Sequence, residues 1–446
     1  MIRRYSSLVL LCLILLGVLS PYQRSLWSLP EELRIKEGAK YTLDFKPPFG
    51  VSVGPDRSGP GERRSPEIVV KPLGRNKGIQ VTGQDTGVAS LDVRFLGLIP
   101  LRQVRLAVVP ETKVIPGGHS IGLVLKSKGV TVSKVVPVEG ESGKRFDPAG
   151  DAGLRLGDVI LRCNGVSINS DEHLSYLIEE AGRSGNYVRL EGKHPDGSTF
   201  DLKVKPVKCK KTGRYLIGAW VRDGMAGVGT LTFYDPDTGC YAALGHTVMD
   251  LESSRPVDIR EGRIVKASVS AIDQGRRGRP GEKIGVFVDE RDVIGSIDRN
   301  TRFGIIGTLN VEPVNPFFEK PISVALPEQV RIGPAEVFTV VEGQKIGRFR
   351  CEILKVKKQS DPGSKGIVIK ITDPELLAKT GGIVQGMSGS PVVQDGTLVG
   401  AITHVFVNDP SKGYGVFAEW MLREAYGDSQ VDIVGQGKRL HARRIA

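Results

Sequence analysis

Ring side chains are scarce in this chain. Aromatics make up 6% of its 446 residues, and only three of them are Trp. Beside 56 Gly and 27 Pro, that scarcity suits a β-rich chain with many turns. No Cys-x-x-Cys pair occurs among the five cysteines, Cys12, Cys163, Cys209, Cys240 and Cys351, and no His stands at ligand spacing from them. Nothing therefore calls for zinc, and no other metal or cofactor is expected. Exported cysteines can pair, but spacing gives no connectivity. Long basic blocks are missing too. The net charge is +12, yet Lys and Arg are interleaved with Asp and Glu and not with aromatics. That pattern describes a solvated surface and speaks against nucleic acid as a partner.

Long apolar runs are lacking with one exception, Leu8 to Leu19, which follows Arg3 and Arg4. It is shorter than the roughly 20 residues of a spanning helix and has the length of a signal-peptide core. Leu19-Ser20-Pro21 is a poor cleavage site, so residues 1–27 read as a signal peptide or an uncleaved anchor, with Trp27 near the interface. The arginines place the N-terminus in the cytoplasm and the rest of the chain outside.

The length allows two or three domains. Residues 28–112 read as a small β module of short strands, such as Tyr41–Phe45 and Val104–Val109, with a loop or linker from Pro60 to Pro66. Residues 113–207 show Asp151-Ala152-Gly153-Leu154, then Gly157-Asp158-Val159-Ile160-Leu161, then Asn164-Gly165. A helix starting at Ser170 or Asp171 carries Leu174, Leu177 and Ile178, and a hairpin turns at Pro195-Asp196-Gly197. This order of parts resembles a PDZ domain, which binds an extended peptide as an added strand. The resemblance assigns peptide binding to Gly117, Gly118, Ser120, Ile121 and Gly122. From 208 to 446 the texture is β again, with many short strands that suggest one or two closed barrels and one late helix, Ala418–Tyr426.

Within that last region, Gly386-Met387-Ser388-Gly389-Ser390-Pro391 has the layout of a nucleophile turn. Flanking glycines admit positive φ and leave room for a carbonyl beside the hydroxyl, and the amides of Gly386 and Ser388 can face an oxyanion. The same cluster is also an ordinary turn composition. A base is needed, and the chain has six histidines. His119 falls in the Gly117–Gly122 loop, His173 and His194 in polar contexts that read as solvated, and His441 in a basic tail. His246 ends an apolar strand, Ala242-Ala243-Leu244-Gly245-His246, and is the first choice; His404, with Asp409 as orienter, is the second. The His-then-Ser order matches two-barrel serine peptidases. For a carboxylate to orient the base, Asp250, Asp289, Asp292, Asp298 and Asp373 all remain open. Ser390 is a rival nucleophile, but a Gly-x-Ser-Gly-x-Pro frame selects Ser388.

These motifs together resemble the stage IV sporulation protein B (SpoIVB) serine peptidase family. The likeness rests on Val114-Ile115-Pro116-Gly117-Gly118, Leu244-Gly245-His246 and Gly382-Ile383-Val384-Gln385 running into the Ser turn. Gly400 to Pro410, Gly413-Tyr414-Gly415-Val416 and Glu419-Trp420-Met421 extend it over essentially the whole chain. The resemblance implies a mainly β, multidomain, chymotrypsin-like endopeptidase with catalytic Ser388, His246 and Asp373. It further implies an exported or membrane-anchored enzyme in the space between forespore and mother-cell membranes. There it would cleave itself and a membrane-bound regulator of an intramembrane protease, leading to sigma-factor activation. A different class of reading is a non-catalytic PDZ scaffold organising membrane partners.

Overall fold

The computed structural model describes residues 31–427 apart from 44–48, 56–64, 74–77, 96, 288–291, 358 and 360–361. The Leu8–Leu19 run, Trp27, most of the Pro60–Pro66 loop, Asp289 and the tail around His441 lie outside the described residues. Among the described residues, no helix is long and apolar enough to cross a membrane.

The first of two units covers the described residues up to Thr112 and is built only of strands. Glu32–Lys36 runs parallel to Ile99–Val109, which pairs with Gly87–Phe95 and, through it, with Phe49–Pro55. Lys40–Leu43, Ile79–Gly83 and Ile68–Pro72 form a second sheet. Period-2 alternation puts Leu33, Ile35, Leu91, Val93, Leu106 and Val108 into one core.

The second unit, from Lys113 to Ala425, holds the motifs. Its first strands are β1 (Lys113–Pro116) and the 16-residue β2 (Ser120–Val135). Next come β3 (Val159–Cys163), helix α1 (Asp171–Arg183), β4 (Val188–Lys193) and β5 (Thr199–Val204). The equally long β6 (Ala219–Tyr234) follows. β2 and β6 lie antiparallel from Val135 opposite Ala219 to Ser120 opposite Thr230. Their far halves belong to an α+β module with β3, β4, β5 and α1. Ser170 caps α1 by accepting a hydrogen bond from the His173 amide, as its sequence position predicts. Leu174 and Ile178 then face Val130, Val132, Ile160, Val188 and Leu190.

The near halves of β2 and β6 are barrel strands. With β7 (Cys240–Leu244), β8 (Ile259–Asp273), β10 (Val293–Ser296) and β11 (Gly304–Thr308) they make a ring in the order β2-β6-β7-β11-β10-β8. A single bridge between Gly295 and Leu309 closes it. Ile121, Leu123, Leu231, Tyr241, Ile264 and Ile305 fill the inside. β9 (Glu282–Phe287) pairs with the far end of β8. The second barrel is closed and six-stranded: β12 (Gly333–Glu342), β13 (Lys345–Val356), β14 (Ile367–Ile371), β17 (Lys412–Phe417), β16 (Thr397–Val405) and β15 (Pro391–Gln394), in that spatial order. Two short helices complete it, α2 (Pro374–Thr380) and α3 (Ala418–Tyr426). The protein is thus mainly β, with two barrels. The module sits between two strands of the first barrel, and residues 113–127, read from sequence as the start of the PDZ-like segment, are barrel wall.

Candidate active site

The Ser turn joins α2 to β15 on the second barrel, and the first barrel grips it. Thr230 of β6 donates its amide to the Ser388 carbonyl (3.1 Å) and its hydroxyl to the Gly386 carbonyl (2.8 Å). The Thr232 hydroxyl donates to the Gly389 carbonyl at 2.8 Å. Such close approach requires glycine at 389, where φ is +92° and a Cβ would lie 2.1 Å from the Thr230 oxygen. Three carbonyls of the turn are therefore spent on β6. The amides of Gly386 and Ser388 donate to no acceptor among the described residues. That is the arrangement an oxyanion site needs. The Ser388 hydroxyl donates to the Thr403 carbonyl at 2.8 Å.

His246 comes from the first barrel. β7 ends in two consecutive left-handed residues, Leu244 (φ +71°) and Gly245 (φ +75°). Positive φ is costly for Leu, and here it turns the chain beside a candidate base. His246 Nδ1 lies 2.9 Å from the Thr247 carbonyl. A carbonyl only accepts, so Nδ1 carries the proton and Nε2 keeps its lone pair. Burial lowers the imidazole's pKa, which favours the neutral base. His404 of β16 is its neighbour, with ring centroids 5.1 Å apart. Burial drives the His404 pKa down to about 4, and His246 and Lys365 push the same way. His246, Gly386, Ser388 and His404 all line one cleft of about 640 Å³, together with Leu123, Leu244 and Arg302.

The carboxylates do not join this group. Asp373 caps α2: one oxygen accepts from the Glu375 and Leu376 amides, and the other from the Arg350 amide. The sequence Asp373-Pro374-Glu375 is a capping sequence, with Pro at the first helical position, and it places this acid outside the cleft lining. Asp250 accepts from Ser253 and Glu252 and pairs with Arg222 at 2.7 Å. Asp298 accepts from the Ser296 hydroxyl, and Asp409 pairs with Lys412. No described acid, Asp292 included, bonds to His246 or His404. The group that orients His246 is the Thr247 carbonyl, which no sequence pattern announces.

Two further candidates lie away from the cleft. Ser390 is fully buried and donates to the Thr339 hydroxyl (3.0 Å), so it does not face the cleft. His194, read as solvated, is held at 2.7 Å by the buried Asp158.

The residues expected to bind a peptide lie in the wall of the first barrel. The Gly117 and Gly118 amides donate to the Thr232 and Leu231 carbonyls, and Ser120, Ile121 and Gly122 pair with Thr230, Gly229 and Val228. Their backbone groups are taken up by the barrel, so they cannot cradle a peptide. A groove of about 500 Å³ lies instead between α1 and the start of β6. Leu174 and Ile178 line one side, Ile217, Gly218, Ala219 and Val221 the other. Between Ala219 and Asp223, β6 pairs only with β2 among the described residues, leaving its other edge open. The run Tyr215-Leu216-Ile217-Gly218 leads into that edge, and Gly218 has φ +81°.

A cleft that joins an imidazole from one barrel to a hydroxyl turn with free amides from the other marks a chymotrypsin-like peptidase. The model of the SpoIVB peptidase S55 family matches residues 213–422. Among solved structures, the chain is similar to the Rv3671c protease. The inactive form shows 12% identity and a TM-score of 0.26, with 44% of this chain and 84% of that chain covered. The active form, from M. tuberculosis, shows 14% identity and a TM-score of 0.25, with 60% and 90% covered. No curated protein sequence matches the chain significantly.

Proposed function

We propose that this peptidase is a serine endopeptidase acting through Ser388 and His246. The observation that carries the reading is the shared cleft, where both side chains meet two amides that have no acceptor among the described residues. Ser388 Oγ leaves the Thr403 carbonyl and attacks a peptide carbonyl while its proton passes to His246 Nε2. The Gly386 and Ser388 amides receive the oxyanion. The imidazolium then gives the proton to the leaving amine, and water activated by the same imidazole releases the acyl group. The Thr247 carbonyl takes the orienting place that a carboxylate often fills.

The groove beside α1 would hold an extended peptide as a strand on the open edge of β6, in the manner of a PDZ domain. Trp220, 66% exposed at that edge, supports a docking surface. The same strand runs on to Thr230, which binds the Ser turn, so an occupied groove would have a direct path to the site. The match to the SpoIVB peptidase family model suggests the setting: export or anchoring through residues 1–27, self-cleavage, and cleavage of a membrane-bound regulator during sporulation.

The test is active-site labelling. Protein from residue 28 onward, treated with a fluorophosphonate, should carry the label on Ser388, and Ser388→Ala should lose it. A label that survives in Ser388→Ala and vanishes in Ser390→Ala would overturn the assignment.

A further inference from the structure

Behind the Ser turn lies an amine that the chemistry above does not use. Lys283 of β9 is 2% exposed. Its backbone amide donates to the Gln385 carbonyl at 2.9 Å, and the Gln385 amide donates to the Gly281 carbonyl. The lysine stem runs against Gly386, where a Cβ would meet Lys283 Cβ, Cγ and Cδ at 3.1–3.3 Å. At its end, Nζ donates to the Thr339 hydroxyl of β12 at 2.8 Å. Thr339, itself fully buried, also receives the Ser390 hydroxyl. The turn is thus bracketed from behind at Gln385, Gly386 and Ser390, all by contacts that pass through one residue or its partner. Among the described residues no carboxylate, imidazole or second amine bonds to Nζ; its described partner is a hydroxyl. A buried amine without a counter-ion costs stability, and an apolar side chain of similar length would pack there more favourably. Burial lowers the lysine pKa to about 7, in keeping with that isolation. Packing alone therefore does not account for a lysine at this position.

We propose that Lys283 is a positioning residue of the active site: with Thr339 and Ser390 it holds the turn in the form that keeps the Gly386 and Ser388 amides free for the oxyanion. The inference rests on the reading of Ser388 as nucleophile. It also gives Ser390 a role, as the turn's anchor to the relay.

Steady-state kinetics on a peptide substrate test it with four variants of the full chain. Lys283→Met and Thr339→Val should each lower kcat about tenfold or more, short of the ~100- to 1000-fold expected for outright loss of an oxyanion donor. KM should stay within about twofold, since the defect concerns the transition state. The double variant should be no worse than the poorer single one, and Thr339→Ser, which restores the hydroxyl, should recover wild-type kcat. Full activity in Lys283→Met, or losses that add in the double variant, overturns the proposal while Ser388→Ala stays inactive. If Lys283→Met does not fold, the Thr339→Val and Thr339→Ser pair decides: equal activities refute it. Activity retained in Ser388→Ala would instead refute the nucleophile assignment, and this proposal with it.

Discussion

The two barrels contribute to the site in different ways. The second is closed, made of two runs of hairpins, β12-β13-β14 and β15-β16-β17, and it carries Ser388 on the connection between them, next to β15. The first is interrupted: two of its strands run on into the inserted module, and one bridge completes its ring. Yet the first barrel supplies both His246, the proposed base, and the hydrogen bonds that fix the turn's carbonyls. The proposed nucleophile belongs to the self-contained barrel, while the carbonyls of its turn are held by the barrel whose strands run on into the module with the groove.

Breaking the contact between the barrels should have the largest effect. Gly389→Ala would drive a Cβ into the Thr230 carbonyl at 2.1 Å and impose strain at φ +92°. It should lower kcat/KM about a hundredfold or more, and amide exchange should show the turn opened. A milder break is Thr230→Val, which removes one hydroxyl bond to the Gly386 carbonyl while keeping the backbone bond. A loss of about fivefold in kcat is expected, from one neutral hydrogen bond worth about 1 kcal/mol. Smallest of all on turnover is Asp373→Ala, within the second barrel. It should cost about 1 kcal/mol of stability through the lost helix cap and leave kcat/KM of the folded enzyme unchanged. A collapse of turnover in Asp373→Ala would return that acid to the site.

The imidazole contributes a pH signature. Burial lowers the His246 pKa below its ordinary value of 6.5, so the neutral, competent base persists as pH falls through 6.5. The acid limb of kcat/KM should therefore lie below 6.5. The same shift affects folding: the unfolded chain binds the proton more readily, so this histidine's contribution to stability is lost as pH falls below about 6.5. A limb at or above 6.5 would show the base to be exposed or charged-paired.

What could be read from sequence was what is local. Gly386 to Pro391 announces its turn, and Leu244-Gly245-His246 announces a strand end with a presented ring. Ser170 announces its helix. Asp373 was legible too, but as a cap before Pro374, a reading that the resemblance to a triad acid displaced. The rest depends on contacts between distant segments. The burial of Lys283 is set by strands more than fifty residues away in sequence, and the orienting role of Thr247 belongs to its backbone. The polar run Lys126-Ser127-Lys128-Gly129 marks where β2 passes from one substructure to the other, but in sequence it reads as a break between two strands.

In the proposed mechanism the base comes from the first barrel and the nucleophile from the second. Pre-steady-state acylation rates of His246→Ala and His404→Ala, both folded by circular dichroism, test it most directly. His246→Ala should acylate about a thousandfold more slowly or worse, and His404→Ala should stay within about tenfold of wild type. The reverse order would place both base and nucleophile on the second barrel and contradict the account.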